Sequence, residues 1–200
     1  MSILSRITGY RKLIFITTAF LLINQMIAAQ EFNNNKNDKC FWLNCGIGSG
    51  IGRGSSGLAH GGNISYLFRN NLLSIRSVYT GETQWENSLF KNEPYENFWD
   101  AGVLYGRNIK VENDFISIAV GVAIVGGKKR GQHIGTGYNW ISITQYYEEL
   151  RFLTVGIPIQ FQLLRIPISS WGLGITGFAN LNRKNSFVGM LLSSAFGKFK

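Results

Sequence analysis

The sequence predicts an all-β protein: an eight-stranded antiparallel up-and-down transmembrane β-barrel, preceded by a cleaved signal peptide. Three observations carry that expectation. Residues 1–29 have the layout of a secretory signal. Eight later segments alternate apolar and small polar residues with a period of two, and no stretch after residue 30 holds a sustained 3.6-residue apolar stripe. The connections between these segments are long at one end of the chain's zigzag and mostly short at the other.

The signal comes first. Arg6, Arg11 and Lys12 form a basic n-region, 13–23 is an uncharged apolar run, and Ala28-Ala29-Gln30 offers small residues to a peptidase. The run falls short of the roughly 20 residues a helix needs to cross a bilayer, which favours removal over a retained anchor. No Cys follows it directly, as a lipoprotein would require. Residues 30–40 read as a polar, Asn-rich leader and 41–200 as one domain, the barrel. Losing 1–29 lowers the formal charge from +9 to +6, because three of the 20 basic residues leave and all 11 acidic ones stay. A pI near 9.7 would by itself admit nucleic acid as a partner. Export and the scatter of the basic residues argue against it and favour anionic lipid headgroups or lipopolysaccharide phosphates.

The strands follow in order. In 41–53, Phe41, Leu43, Cys45, Ile47 and Ile51 take the odd positions, and Gly46, Gly48, Gly50 and Gly52 the even ones. In 62–69, Ile64, Tyr66 and Phe68 share a face opposite Asn63, Ser65 and Arg69. Arg69-Asn70-Asn71 then makes a tight turn, since Asn tolerates left-handed backbone. Segment 72–82 returns with Leu73, Ile75 and Tyr79 against Ser74 and Arg76, although Ser77-Val78 blurs the pattern. Segment 98–107 sets Trp99, Ala101, Val103 and Tyr105 against Asp100, Gly102, Leu104 and Gly106. In 115–125, Ile116, Ile118, Val120, Val122 and Ile124 oppose Ser117, Ala119, Gly121 and Ala123.

Segment 149–163 gives the sharpest contrast, with Val155, Ile157, Ile159, Phe161 and Leu163 against Thr154, Gly156, Pro158, Gln160 and Gln162. Pro158 removes a ladder donor, which predicts a bulge or a local break in pairing. Segment 170–180 places Trp171, Leu173 and Ile175 opposite Gly172, Gly174, Thr176 and Asn180. Segment 186–199 closes the series, with Val188, Met190, Leu192 and Phe196 against Gly189, Ser193, Ala195 and Gly197.

Alternation alone does not say which face is outside. A soluble sheet shows water a face of Lys, Glu and Arg, whereas here the polar face is mainly Gly, Ser, Thr, Asn and Gln. Small residues suit the cramped interior of an eight-stranded barrel, which side chains just fill. The aliphatic face, with Trp and Tyr near several strand ends, suits a lipid-facing band with aromatic girdles. Closure also leaves no backbone edge unpaired in hydrocarbon. With the N-terminus in the periplasm, the outward loops are 54–61, 83–97, 126–148 and 181–185, and the inward turns 69–71, 108–114 and 165–169. Long outside and short inside is the expected asymmetry; the last outward loop departs from it.

Several stretches carry a family likeness: Thr154-Val155-Gly156-Ile157-Pro158-Ile159-Gln160, the run Gly172 to Asn182, Ser186-Phe187-Val188-Gly189, Gly197-Lys198-Phe199-Lys200, and Phe98 to Arg107. On these residues the chain resembles the small outer-membrane β-barrel proteins of the Bacteroidetes type. The resemblance spans most of 41–200 and implies location and fold, with outer-membrane lipid, lipopolysaccharide and the barrel-assembly machinery as partners. It implies no activity. Many such barrels end in an aromatic residue read by the assembly machinery; here Phe199 stands one place before Lys200.

No motif points to catalysis, a cofactor or a metal. Cys40 and Cys45, the only cysteines, would lie roughly 16 Å apart on opposite faces of an extended strand, against the about 7 Å a disulfide allows. Gly52-Arg53-Gly54-Ser55-Ser56-Gly57 matches G-x-G-x-x-G, but no helical pattern follows it. His60 and His133 fall in predicted outward loops, and no spacing enforces contact of His133 with Ser142 and Glu148 or Glu149. Lys128-Lys129-Arg130, with Tyr138 and Trp140 nearby, is the candidate contact for lipopolysaccharide or a protein partner, against the plainer reading of a solvated loop.

Arg76 and Asp100 both point into the lumen of adjacent strands and are expected to pair there, because a charge in a narrow lumen needs a partner. The expected role is structural or surface-interacting, with no wide pore and no enzymatic activity. The rival readings are a soluble periplasmic barrel holding an apolar ligand, which needs the aliphatic face turned inward, and a lipid-modifying barrel enzyme.

Overall fold

The computed structural model describes residues 39–52, 55–82, 96–111, 113–138 and 143–199. The signal peptide and all but the last two residues of the leader therefore lie outside the described residues, as do Trp140 and Ser142. Eight strands run in chain order: β1 (Lys39–Ile51), β2 (Ser56–Phe68), β3 (Asn71–Glu82), β4 (Asn97–Val111), β5 (Asp114–Tyr138), β6 (Ile143–Ile168), β7 (Trp171–Asn182) and β8 (Phe187–Lys198). Each pairs antiparallel with its chain neighbour, and β1 pairs with β8, so the sheet closes into a barrel. Closure removes the two free edges that an open sheet would present.

The alternation read from the sequence sorts the side chains as expected. Ile47, Ile75, Val103, Val122, Ile157 and Leu192 are exposed on the outer surface, while Asn44, Ser74, Asp100, Gln160, Gln162 and Thr176 are buried inside. Along β6 the outward apolar residues run from Leu153 to Leu163. Ten steps of about 3.3 Å, tilted roughly 40°, give a band about 25 Å tall, the height of a hydrocarbon core crossed by such barrels. Aromatic residues flank it. Phe41, Tyr66, Phe68, Tyr105 and Phe196 are exposed near the end that carries the short turns, and Tyr79 and Trp99 near the other.

Three expectations need correction. The first outward loop is mostly strand: β2 begins at Ser56 rather than Gly62, and Gly57 and Gly61 had hidden an alternation in which Leu58 and His60 face out. The third outward loop is a β-hairpin. Pairing continues from Lys128↔Arg151 to Tyr138↔Ile143, with two register shifts, between Arg130 and His133 and between His133 and Gly135, each adding a residue on β5. The eight β6 residues beyond Arg151 carry it roughly 25 Å past the rim. The left-handed residue of the first inward turn is Arg69, with φ 58°, not an Asn.

Pro158 behaves more mildly than a bulge. Pairing between β5 and β6 lapses between Val120↔Ile159 and Ala123↔Gly156, yet the register is the same on both sides. The missing N–H interrupts the ladder without shifting it. The register shift that β6 does show against β7 lies between Arg165 and Ile168, around Pro167.

Candidate functional site

The interior is layered, which the sequence did not reveal. Toward the short-turn end, Trp42, Leu67, Leu72, Leu104, Phe115, Leu164, Ile166 and Phe199 form one apolar cluster. Trp42 packs its ring 6.0 Å from Phe115 and 5.7 Å from Phe199. Toward the other end, Ala59, Val78, Phe98, Val125, Phe178, Phe187 and Leu191 form a second. A glycine makes room for it: a Cβ on Gly189 would crowd the Phe178 ring. Between the two lies a polar belt, so water approaching from either mouth meets a plate of hydrocarbon.

The belt is cross-linked through side chains. Thr176 Oγ1 meets Asn44 Nδ2 at 3.1 Å, Gln162 Nε2 at 3.3 Å and the Ser193 hydroxyl at 2.8 Å. Asn63 accepts from Asn44 (3.2 Å) and Gln162 (3.0 Å) and donates to Ser65 (2.6 Å), whose hydroxyl lies 2.7 Å from that of Ser74. The structure also brings Arg76 and Asp100 together. Arg76 Nη2 donates to Asp100 Oδ2 at 2.5 Å, and the two side chains are 1% and 0% exposed. Arg76 stands opposite Gly102 in the register, and Asp100 opposite Val78, so the pair is diagonal. Arg76 Nη1 reaches the Ile159 carbonyl (2.9 Å), and Asn180 Nδ2 donates to Asp100 Oδ2 (2.9 Å). A belt joined across the lumen in this way braces the barrel and blocks it.

At the rim, two residues of the basic triplet have carboxylate neighbours. Lys128 Nζ lies 3.2 Å from Glu149, and Arg130 Nη2 lies 2.6 Å from Glu82. The Arg130 amide donates to Glu96 Oε1 (2.9 Å). Lys129 is partly exposed. Glu149 also accepts from Arg151 Nε at 2.7 Å. The hydrogen bonds from Arg151 and then Lys128 hold its carboxyl below the usual carboxylate range. Trp140, the fourth residue of the candidate contact, lies outside the described residues.

His60 is on β2 rather than in a loop and stacks on Tyr79 at 5.0 Å. His133 sits on the protruding hairpin, 5.3 Å from the Tyr147 ring and 3.2 Å from Thr136 Oγ1. Cys40 is buried and Cys45 exposed, and no disulfide joins them. The glycine motif leads into strand β2, not into a helix. Among the described residues no cluster of three or more metal-ligating side chains occurs.

Closure, antiparallel order, an aliphatic exterior with aromatic ends and a filled lumen define the class: a small eight-stranded β-barrel of the outer-membrane type. The structure is similar to Ail, the attachment invasion locus protein of Yersinia pestis, at 11% identity over 82% of this chain and 99% of that one, with a TM-score of 0.52. The same protein in complex with the heparin analogue sucrose octasulfate matches with the same score. Neisserial surface protein A matches at 8% identity over 80% of this chain and 97% of that one, with a TM-score of 0.57. Both are eight-stranded outer-membrane barrels, and at these identities the likeness is one of fold. No protein-family model and no curated protein matches the sequence.

Proposed function

We propose that this protein is a non-enzymatic outer-membrane barrel that serves as a stable membrane anchor for a surface-interacting hairpin. The observation that carries the reading is the combination of a sealed lumen and a protruding β5–β6 hairpin on one barrel. A lumen filled by a polar belt between two apolar plates does not conduct solutes as a wide pore does. The hairpin, by contrast, holds Ile134 and Tyr146 exposed, Ile134 at 70%, and exposed apolar side chains of this kind mark contact surfaces. The soluble-barrel alternative loses its premise, because the aliphatic face points outward. For an enzymatic role the support is thin: His133 is engaged with Thr136 and Tyr147 rather than with a carboxylate.

The partners in this reading are outer-membrane lipid, lipopolysaccharide at Lys128, Lys129, Arg130 and Trp140, and the barrel-assembly machinery during insertion. No cofactor is called for. The finer likeness to the Bacteroidetes-type barrels belongs to the same proposal. Export through a cleaved signal and the outward direction of the hairpin are tested together by Gly135→Cys, a position where a Cβ meets nothing within 4 Å. On intact cells a membrane-impermeant maleimide is expected to label it. Labelling only after the cells are opened would overturn the reading.

A further inference from the structure

The barrel rim has a step. β7 stops pairing with β6 at Gly156↔Asn182, while β6 continues outward to Ile143. Above that point β6 pairs with no strand on this side among the described residues, and the connection 183–186 turns back at the foot of the step. A groove of about 710 Å³ opens there on the outer surface. Val122, Val155, Ile157 and Leu181 supply its aliphatic wall, with Arg183 and Ser186 at its edge.

The turn is built to hold its cations in place. Asn182 Oδ1 accepts from the amides of Lys184 (3.0 Å) and Asn185 (2.7 Å), Asn182 Nδ2 donates to the Asn185 carbonyl (2.7 Å), and the Asn182 amide donates to Ser186 Oγ (3.0 Å). Arg183 and Lys184 project from it, exposed. Neither has a carboxylate partner among the described residues, whereas Lys128, Arg130 and Arg151 each do. No Asp or Glu lines the groove.

We infer that this step binds a phosphorylated glycolipid of the lipid A type, with one acyl chain along the aliphatic wall and a phosphate on Arg183 and Lys184. The inference rests on the outer-membrane reading. Uncompensated cations beside exposed hydrocarbon complement an anionic amphiphile. The guanidinium fork suits phosphate, and the adjacent ammonium adds a point charge. The volume lies in the range of small-molecule sites. The groove is at the hairpin end of the aliphatic band, opposite the short turns, and so faces the leaflet that carries phosphorylated glycolipid.

The test uses the signal-free chain inserted in phosphatidylcholine nanodiscs, with Ile, Leu and Val methyls labelled for NMR. Insertion is read separately, as heat-modifiable gel mobility. Titration with bis-phosphorylated lipid A is expected to shift Val122, Val155, Ile157 and Leu181 saturably and to leave Ile175 and Leu192 unmoved. R183Q/K184Q is expected to raise the half-saturating fraction about fivefold, and phosphatidylglycerol to produce no saturable shift. Shifts spread evenly over the band, an unchanged double variant, or equal saturation by phosphatidylglycerol would each overturn the site while leaving the membrane reading intact. A chain that never inserts would overturn both.

Discussion

Replacing Asp100 by Ala strips the Arg76 guanidinium of its counter-charge while leaving it in place. The remaining contacts are two backbone carbonyls, Ile159 O at 2.9 Å and Ala179 O at 3.4 Å, the second barely a hydrogen bond. Asn180 loses its acceptor as well. Two unit charges about 4 Å apart attract by roughly 4 kcal/mol at an effective dielectric constant near 20. The apolar plates on either side of the belt deny the stranded charge water. The expected loss is therefore about 3–5 kcal/mol, as for a buried pair broken on one side. Guanidinium unfolding and refolding in detergent micelles, followed by tryptophan fluorescence, measures it. R76L/D100L removes both charges and is expected to return to within about 1 kcal/mol of the parent. A loss under about 1 kcal/mol for Asp100→Ala would mean that water reaches the pair, and a double variant as damaged as the single one that the stranded charge is not what costs stability; either would refute the reasoning.

Other substitutions probe separate parts of the structure. Arg69→Gly relieves a left-handed backbone at an exposed turn, with φ 58°, and is expected to stabilise by about 1 kcal/mol in the same titration. Gly189→Val drives a side chain into the Phe178 ring and the Ser49 carbonyl and is expected to cost about 1–3 kcal/mol. Trp42→Ala empties the centre of the lower apolar cluster and is expected to cost about 3–5 kcal/mol, with heat-modifiable mobility lost at a lower temperature. The Glu149 carboxyl, held low by Arg151 and Lys128, keeps its charge pairs throughout the pH range above the ordinary carboxylate value. They are lost only as the pH falls through its depressed folded value. An NMR titration of Glu149 is expected to show that midpoint rising in Arg151→Gln.

How much of this could be read in advance depended on how clean the alternation was. From Val155 to Leu163 the period of two is unbroken, and both faces were assigned correctly. The apolar plates inside the barrel went unseen because the expectation reserved the lumen for small and amide side chains. Their signal was present in adjacent apolar residues near strand ends: Phe41-Trp42-Leu43, Leu72-Leu73, Phe115-Ile116, Leu163-Leu164 and Leu191-Leu192. A pair of neighbours that are both apolar puts hydrocarbon on both faces of a strand. The hairpin read as a loop because five glycines and the two inserted residues on β5 break its periodicity. The Arg76–Asp100 contact was legible from strand adjacency and facing. The groove at Arg183 was not, since it arises from unequal lengths of β6 and β7, which no local pattern encodes.

The orientation of the aliphatic band is most directly measured by nitroxide labels at Val122, Ile157 and Ile175, in a background with Cys40 and Cys45 changed to Ser, in vesicles. Power-saturation EPR compares collisions with oxygen, which partitions into hydrocarbon, against a water-soluble nickel chelate. At all three positions the oxygen collisions are expected to dominate, with a label at Gln162 shielded from both reagents. Nickel collisions at Val122, Ile157 and Ile175 as frequent as in bulk water would contradict the outward, lipid-facing band.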